Sequence, residues 1–493
     1  MARGSPYLAA PGEALCEDGR QPAARSFGSP SSMFNSLQSR RLVLVAFAAL
    51  LLASCAEHIP RRQPREVFQK SENWSHAPSW ATASIRQNWW IVYRDPRLNS
   101  RIATALSHNP DLRVLGARLA GARAQTRQAR AASWPSINLG TGLVYGNESL
   151  RMTGFRPTDL EPWASSASTS WEIDLFGRLR TATRSAQEAA RAAFWDLHAG
   201  RLLVTTEVAD AHIRLLRLNE EKKLVAESVS ANLRIVETMR DRQRVGLIST
   251  TELRRQEAEH ERLTRALLDL DRLRGLANLQ LATLRGGAFQ APSPNPRYLS
   301  SMRLPSLPHR TTSQVLRKRP DLLAAEARVR SAFQLEESTR LNLLPSLTLG
   351  AGASGESTAL ASGFRQWIAS VGPRLDLPVY DPKRLAAVHV RRAGTDEAAA
   401  LYRRTALHAF EEVESSYLNF SNRRRQLTAA RREVAALDEA RRNTFATFET
   451  GLVSQIELLE SERRSLEGRR QELAVRHALL RDHLALVKAL GGS

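Results

Sequence analysis

Two pieces of this sequence return at a fixed distance, and that repeat limits the possible folds more than any other feature. HNPDLRVLGARL (108–119) comes back as KRPDLLAAEARV (318–329), and WPSINLGTG (134–142) as LPSLTLGAG (344–352). Pro110 aligns with Pro320, Pro135 with Pro345 and Gly140 with Gly350, all at an offset of 210, so no gap separates the copies here. Further on, VGLISTTEL (245–253) matches TGLVSQIEL (450–458) at an offset of 205. Length alone would divide 493 residues into two or three domains. A tandem duplication instead builds one architecture twice. Each copy is expected to run helix, strand pair, long helix, turn, helix.

Proline placement sets the long helices. None occurs between Pro162 and Pro292 or after Pro382, and both gaps are rich in Ala, Leu, Arg and Glu, all good helix formers. Apolar residues recur every seven positions: Leu197, Val204, Ala211, Leu218 and Val225 in the first copy, Ala406, Val413, Phe420, Leu427 and Val434 in the second. That is a coiled-coil seam. A helix from Arg178 to Arg244 would be about 100 Å long at 1.5 Å per residue.

The strand candidates argue against a plain coiled coil. In PSINLGTGLVY the odd positions Ile137, Leu139, Leu143 and Tyr145 are mostly apolar, and Ser136, Asn138, Gly140 and Gly142 are small or polar. WASSASTSWEIDL (163–175), PSLTLGAGA and WIASVGPRLDL alternate in the same way. Apolar-out, polar-in alternation over roughly ten residues with aromatics near the ends is the pattern of transmembrane barrel strands. Sandwich strands alternate similarly. Four strands cannot close a barrel, and open edges are not tolerated in lipid. Either these strands lie outside a membrane, or several chains share one barrel; three would supply twelve strands.

The N-terminal region reads as a sorting signal. The apolar run Leu42–Ala53 follows Arg40 and Arg41 and is too short for a helical span, which needs about 20 residues. Positive residues, a short apolar core and small residues at a cleavage point make a secretory signal. Leu52, Ala53, Ser54 and Cys55 resemble a bacterial lipobox, whose cysteine is lipidated and becomes the mature N-terminus; Ala56 after it favours the outer membrane. A disulfide is a poor reading, since the one other cysteine, Cys16, sits in a Gly/Pro-rich leader. Residues 1–32 fit no part of such a signal, so translation is expected to start at Met33 and the signal to cover 33–54. A lipidated linker (55–88), repeat 1 (89–290), a connection (291–310) and repeat 2 (311–493) follow. The strand pairs fall near 135–175 and 345–377, and the hairpin tips near 246 and 451.

Composition is basic, with 71 Lys and Arg against 50 Asp and Glu. Such a balance can signal nucleic acid. Only six of those bases are lysine, a bias expected of a GC-rich genome, and the export signal leads away from DNA, so no nucleic-acid partner is expected. The histidines are scattered, without His-Glu-x-x-His, and there is no Cys-x-x-Cys. GAGASG (350–355) fits a dinucleotide fingerprint only formally, because it lies within a strand and not at a strand-to-helix turn. No catalytic residue, metal site or cofactor is expected.

The order and spacing of WW…DPRL (89–98), NPDL, RPDL, WEIDLFGR (171–178), LPVYDPKR (377–384), the two GL.S..EL turns and the terminal LVKALGG resemble one family. It is the outer-membrane channel component of tripartite efflux pumps, the TolC-like outer membrane factors, in their NodT-type lipoprotein branch. The resemblance implies an α+β membrane protein, tandem duplicated, with a long α-helical coiled-coil barrel. Each chain would give four strands to a trimeric twelve-stranded transmembrane β-barrel. It implies a passive exit duct of an RND-type pump for small molecules such as drugs, joined to an inner-membrane transporter by a periplasmic adaptor. Rival readings are an outlet for protein secretion and a lipid-anchored periplasmic coiled coil without a pore. Asp-Pro-Lys in LPVYDPKR replaces a turn that is often Gly-rich in relatives.

Gly246 and Gly451 each end a long helix, Ser249 and Ser454 suit N-caps of the returning helices, and Glu252 and Glu457 would complete capping boxes. By resemblance these turns, with Leu247 and Leu452, form the periplasmic tip and meet the adaptor. The positions six and nine after the second glycine, here Glu457 and Glu460, would line the constriction as a gate. The tip arginines Arg242, Arg244, Arg254 and Arg255 are read as solvated faces or as salt bridges holding the tip shut.

Overall fold

The computed structural model describes residues 88–143, 163–288, 296–305, 318–357 and 366–492. Cys16 and the lipobox Leu52–Cys55 lie outside them. The described elements of the first copy are α1 (Pro96–His108), α2 (Pro110–Ala131), β1 (Ser136–Leu143), β2 (Trp163–Ile173), α3 (Arg178–Arg244) and α4 (Thr250–Leu284). The second copy follows with α5 (Pro320–Leu341), β3 (Ser346–Ser357), β4 (Gln366–Asp376), α6 (Pro382–Glu449) and α7 (Gln455–Ala489). The duplication is plain in the lengths. Helices α2 and α5 have 22 residues each, α3 and α6 have 67 and 68, and α4 and α7 have 35 each.

Most helix starts follow one rule. Pro96, Pro110, Pro320 and Pro382 each open a helix, where proline's missing N–H and fixed φ cost nothing. Before them, Asp95 accepts from the Arg97 amide at 2.9 Å and Asn109 from the Leu112 amide at 3.1 Å. Asp381 accepts from the amides of Lys383 and Arg384 at 2.9 and 3.1 Å. The Asp-Pro-Lys of LPVYDPKR is therefore a capped helix entry. The first copy solves the same corner differently: Gly177 precedes the helix at φ +82°, and Asp174 accepts from the amides of Leu179 and Arg180.

A helix of 67 residues needs a buried stripe along its length, because packing and not propensity holds long helices in water. Helix α3 finds partners in relay. It packs on α2 and α5, and on α4, α7 and α1; α6 likewise packs on α5 and α7. The heptad seam is what they cover. Val204, Ala211, Leu218 and Val225 are buried in α3, and Ala406, Val413, Phe420 and Leu427 in α6; Leu197 and Val434, at the two ends of the pattern, are half-buried.

Two short helices serve one long one by meeting end to end. At the first junction the Asn109 side chain donates to the Leu284 carbonyl at 2.8 Å, so the start of α2 caps the end of α4. At the second, Arg319 donates to the Ala489 carbonyl at 2.7 Å and pairs with Asp321 and Glu412 at 2.7 and 2.8 Å. This is the physical content of the NPDL and RPDL motifs. Helix α4 closes in a Schellman turn, with Gly287 N–H to Ala282 and Gly286 N–H to Thr283. Gly286 sits at φ +65°, and a Cβ there would lie 2.2 Å from the His108 carbonyl oxygen.

The four strands form one antiparallel sheet in the order β1-β2-β3-β4, leaving β1 and β4 as edges. Its register gathers the odd-numbered residues on one face: Leu139 pairs with Ala167, Ala167 with Ala353, and Ala353 with Ala369. That face carries Ile137, Leu139, Trp171, Leu349, Trp367, Val371 and Leu375, all exposed, Leu139 by 81% and Val371 by 85%. The even-numbered face carries Asn138, Gly140, Ser166, Ser168, Ser170, Gly350, Gly352, Ser370 and Gly372. From Trp367 to Leu375 the apolar face runs for about 26 Å at 3.3 Å per residue, close to the apolar band of outer-membrane barrels, about 25 Å. No helix among the described residues is long and apolar enough to cross a membrane.

Polar links lock the residues after Trp89 onto the helices. Tyr93, buried in a short 3-10 turn, pairs with Nδ1 of buried His483 on α7 at 2.7 Å. Asp95 pairs with Nε2 of buried His212 on α3 at 2.9 Å and with Arg297 at 2.9 Å, and Arg101 contacts the other nitrogen of His212. Burial would raise the Asp95 carboxyl, but the His212 bond outweighs it with help from Arg97 and Arg297, and the group stays well below the carboxylate range. Burial keeps His483 neutral down to about 3, and burial beside Arg217 keeps His477 neutral to about 4.

Two outcomes follow from this packing. Gly286→Ala should cost about 1–3 kcal/mol through strain and the clash with His108, whereas Gly287→Ala, with nothing near its added Cβ, should be close to neutral. Thermal unfolding of the detergent-purified protein compares them. Acid should also destabilise: the unfolded chain binds protons on His477 and His483 below about pH 6.5 while the fold holds both neutral. Stability is then complete above that pH and falls as pH drops toward 4. The unfolding midpoint should be lower at pH 5 than at pH 7, and His477→Leu should shrink that difference.

Candidate functional site

The two hairpin turns are built alike. At the first, Leu247 N–H reaches the Arg242 carbonyl at 2.9 Å and Gly246 N–H the Gln243 carbonyl at 3.0 Å. At the second, Leu452 N–H reaches Thr447 at 3.1 Å and Gly451 N–H reaches Phe448 at 3.0 Å. Both are Schellman closures, with Gly246 at φ +76° and Gly451 at +77°, a conformation that side chains with a Cβ adopt at a cost.

Each returning helix starts on a serine cap. Ser249 accepts from the Glu252 amide and Glu252 accepts from the Ser249 amide, both at 3.2 Å, a complete capping box. Ser454 accepts from the Glu457 amide at 3.2 Å, but no bond returns from the Glu457 carboxylate. The expected second box is thus half formed. Glu252 is half-buried, whereas Ser454 and Glu457 are exposed, so closing the box in competition with solvent gains little. The serine caps themselves are each worth about 1 kcal/mol.

Apolar side chains crown the tips: Val245, Leu247, Leu452 and Ile456 are exposed, Leu247 by 73% and Leu452 by 79%. Just behind them Val236, Met239 and Leu253 make a small cluster of their own. The tip arginines divide. Arg244 pairs with Asp241, and Arg254 with Glu257 at 2.8 Å, both within one helix. Arg242 crosses to the other hairpin, donating to the Gln455 side chain at 3.1 Å. Arg255 is exposed, with no acidic partner among the described residues. Solvated faces and local pairs therefore describe most of them.

The two acids expected at the constriction differ. Glu457 is exposed, and its carboxylate meets no donor among the described residues. Glu460 is gripped by Arg463 at 3.0 and 2.9 Å and by Arg464 at 2.9 Å, and these bonds lower its carboxyl to about 2. Sequence reading missed this grip, although the signal was there: acid and base three and four residues apart meet on one helix face. It also missed the bond from Arg240 on α3 to Glu257 on α4 at 2.8 Å, which ties the first hairpin together. Among the described residues no cluster could hold a metal ion.

Comparisons with known proteins place this geometry. The model of the family described as outer membrane efflux protein matches residues 102–287 and 311–492, one segment per copy. The chain is 28% identical to the pyoverdine export outer membrane protein OpmQ of Pseudomonas aeruginosa, over 92% of this chain and 97% of that one. It is 26% identical to the toluene efflux pump outer membrane protein TtgC of Pseudomonas putida, over 92% and 96%. To the probable outer membrane lipoprotein SilC of Salmonella typhimurium it is 24% identical, over 92% and 99%. Among solved structures, the outer-membrane channel OprN shares the fold with a TM-score of 0.77 at 24% identity, covering 88% of this chain and 98% of that one. The CmeC channel of Campylobacter jejuni does so with 0.77 at 20%, covering 88% and 94%. A duplicated chain of long helices with one four-stranded sheet, matched by this family across both copies, belongs to the outer membrane efflux proteins.

Proposed function

We propose that the chain is one third of a homotrimeric exit duct in the outer membrane, anchored by lipid at Cys55 and extending into the periplasm. One observation carries the trimer: a sheet with an exposed apolar face ends in two unpaired strands, β1 and β4. An open edge strands its N–H and C=O groups in hydrocarbon at several kcal/mol each. Pairing β4 of one copy with β1 of the next removes every edge, and three copies give twelve strands, within the range of closed barrels. The Ser- and Gly-rich even face then lines the bore.

The tips supply the contact with a periplasmic adaptor. Gly246, Leu247, Ser249, Glu252, Gly451, Leu452 and Ser454 form the two exposed turns, and their apolar crown offers a desolvatable surface to a helical hairpin. The adaptor connects the duct to an inner-membrane transporter of the RND type, which selects and drives the cargo. Small organic molecules, drugs among them, are the favoured cargo, because relatives are named for pyoverdine and for toluene efflux. Lipidation at Cys55 rests on the lipobox and on a relative named as a lipoprotein. Glu457 and Glu460 gate the aperture at the tip, which threefold symmetry narrows onto one axis.

Electron microscopy of the detergent-extracted protein, made with its own signal from Met33, tests the duct. A hollow threefold particle with a barrel at one end is expected; a solid rod, or a protein soluble without detergent, overturns the reading. Glu457→Gln should change single-channel conductance in planar bilayers while the trimer persists. Unchanged conductance would remove Glu457 from the gate.

A further inference from the structure

The two tips share a backbone but not their charges. At the 205-residue offset Glu252 corresponds to Glu457, yet Arg255 corresponds to Glu460, Glu259 to Arg464 and Arg262 to Glu467. Positions 460, 464 and 467 follow one another on a single helix face, so the sign inverts at three successive levels of that face.

Within each copy the charges are also opposed locally. In the second, Arg463 and Arg464 both hold Glu460, and Arg470 lies 3.5 Å from Glu467. In the first, Arg262 holds Glu259 at 2.6 Å, while Arg255 stays exposed without an acidic partner among the described residues. Exposed pairs of this kind add little to stability, but permeation depends on the sum of fixed charge and not on the strength of each pair. From Glu457 to Arg464 the axial rise is about 10 Å, comparable with the Debye length of about 8 Å at physiological ionic strength. An ion passing these levels therefore responds to their total. Along this face of α7 the acids Glu457, Glu460 and Glu467 stand against the bases Arg463, Arg464 and Arg470, three of each. Around the proposed threefold axis with six hairpins, Glu460 would alternate with Arg255 and Arg464 with Glu259.

We infer that the tip aperture is charge-balanced and not acidic, with Arg463 and Arg464 as the residues that cancel the field of Glu457 and Glu460, so that anionic small molecules pass as readily as cationic ones. The inference rests on the duct and gate readings above. A ring of acids alone would attract cations and exclude carboxylate- or phosphate-bearing cargo; the paired arginines lift that barrier. Glu457, the acid without a partner, is left as the point where removal of one charge tips the balance toward anions.

Reversal potentials in a KCl gradient across planar bilayers test this with the full-length trimer. The wild type should show a potassium-to-chloride permeability ratio near one. Arg463→Gln with Arg464→Gln should raise that ratio at least about threefold, and Glu457→Gln should lower it below the wild-type value. Detergent-resistant trimers on gels confirm that each variant assembles, and the wild-type ratio stands as a measurement independent of both. A strongly cation-selective wild type overturns the proposal, as does a ratio that the double arginine variant leaves unchanged. Absence of any channel current from assembled trimers overturns the duct reading, and this inference with it.

Discussion

Everything in each copy depends on giving one very long helix a partner along its whole length. A helix of 67 residues carries a heptad seam that water would otherwise wet. No single neighbour in the copy is long enough to cover it, since α2 has 22 residues and α4 has 35. The chain meets the need by stacking the two shorter helices end to end against α3. That places a helix terminus, with its unsatisfied amides and carbonyls, in the middle of the packed surface. The Asn109 and Arg319 side chains, each bonded to the last turn of the abutting helix, satisfy what the break leaves open. The tight approach at Gly286 is the steric counterpart of the same joint.

Duplication copies backbone demands more faithfully than it copies side chains. Both tips need a residue at positive φ, and both have glycine there; both returning helices need a cap, and both have serine. Where a demand has two solutions the copies part. One strand-to-helix corner uses Gly177 with Asp174, the other Asp381 with Pro382. Where the backbone makes no demand, as on the solvent face of the tips, even the sign of charge is free to invert. A sign inverted between copies is therefore open to shaping by what passes or docks there.

The same distinction explains what could be read in the sequence. The seams, the long helices, the alternating strands and the tip glycines follow from local period and backbone preference, and the fold keeps each of them. The observed register keeps the odd-numbered apolar residues of all four strands together, although Ile368 lies on the even face; a slip of one residue would turn them to the polar side. Tyr93 with His483 and Asp95 with His212 were not legible: they join residues 390 and 117 apart, and no period links them. Glu457 was misread as completing a box because sequence spacing does not report exposure. The grip of Arg463 and Arg464 on Glu460 is legible by spacing, since acid and base three and four residues apart meet on one helix face.

Stability is distributed unevenly along the helices. The residues after Trp89 are bound into the largest buried cluster, with Leu98, Ile102, Val208, Leu216 and Leu480 around them, and polar links from three directions add specificity. Among the described residues near the tips the buried apolar side chains are Val236, Met239, Leu253 and Leu458, and an apolar crown faces outward. Local opening costs least where few apolar contacts are lost. A rearrangement at the turns can therefore proceed while the cluster around the middle of α3 stays packed. The charged pairs at the tip are exposed and individually weak, so they add little to the rigidity of the turns. On the proposed duct reading, selectivity and opening would fall to the same few turns of helix but to different interactions, charge for the one and loose packing for the other.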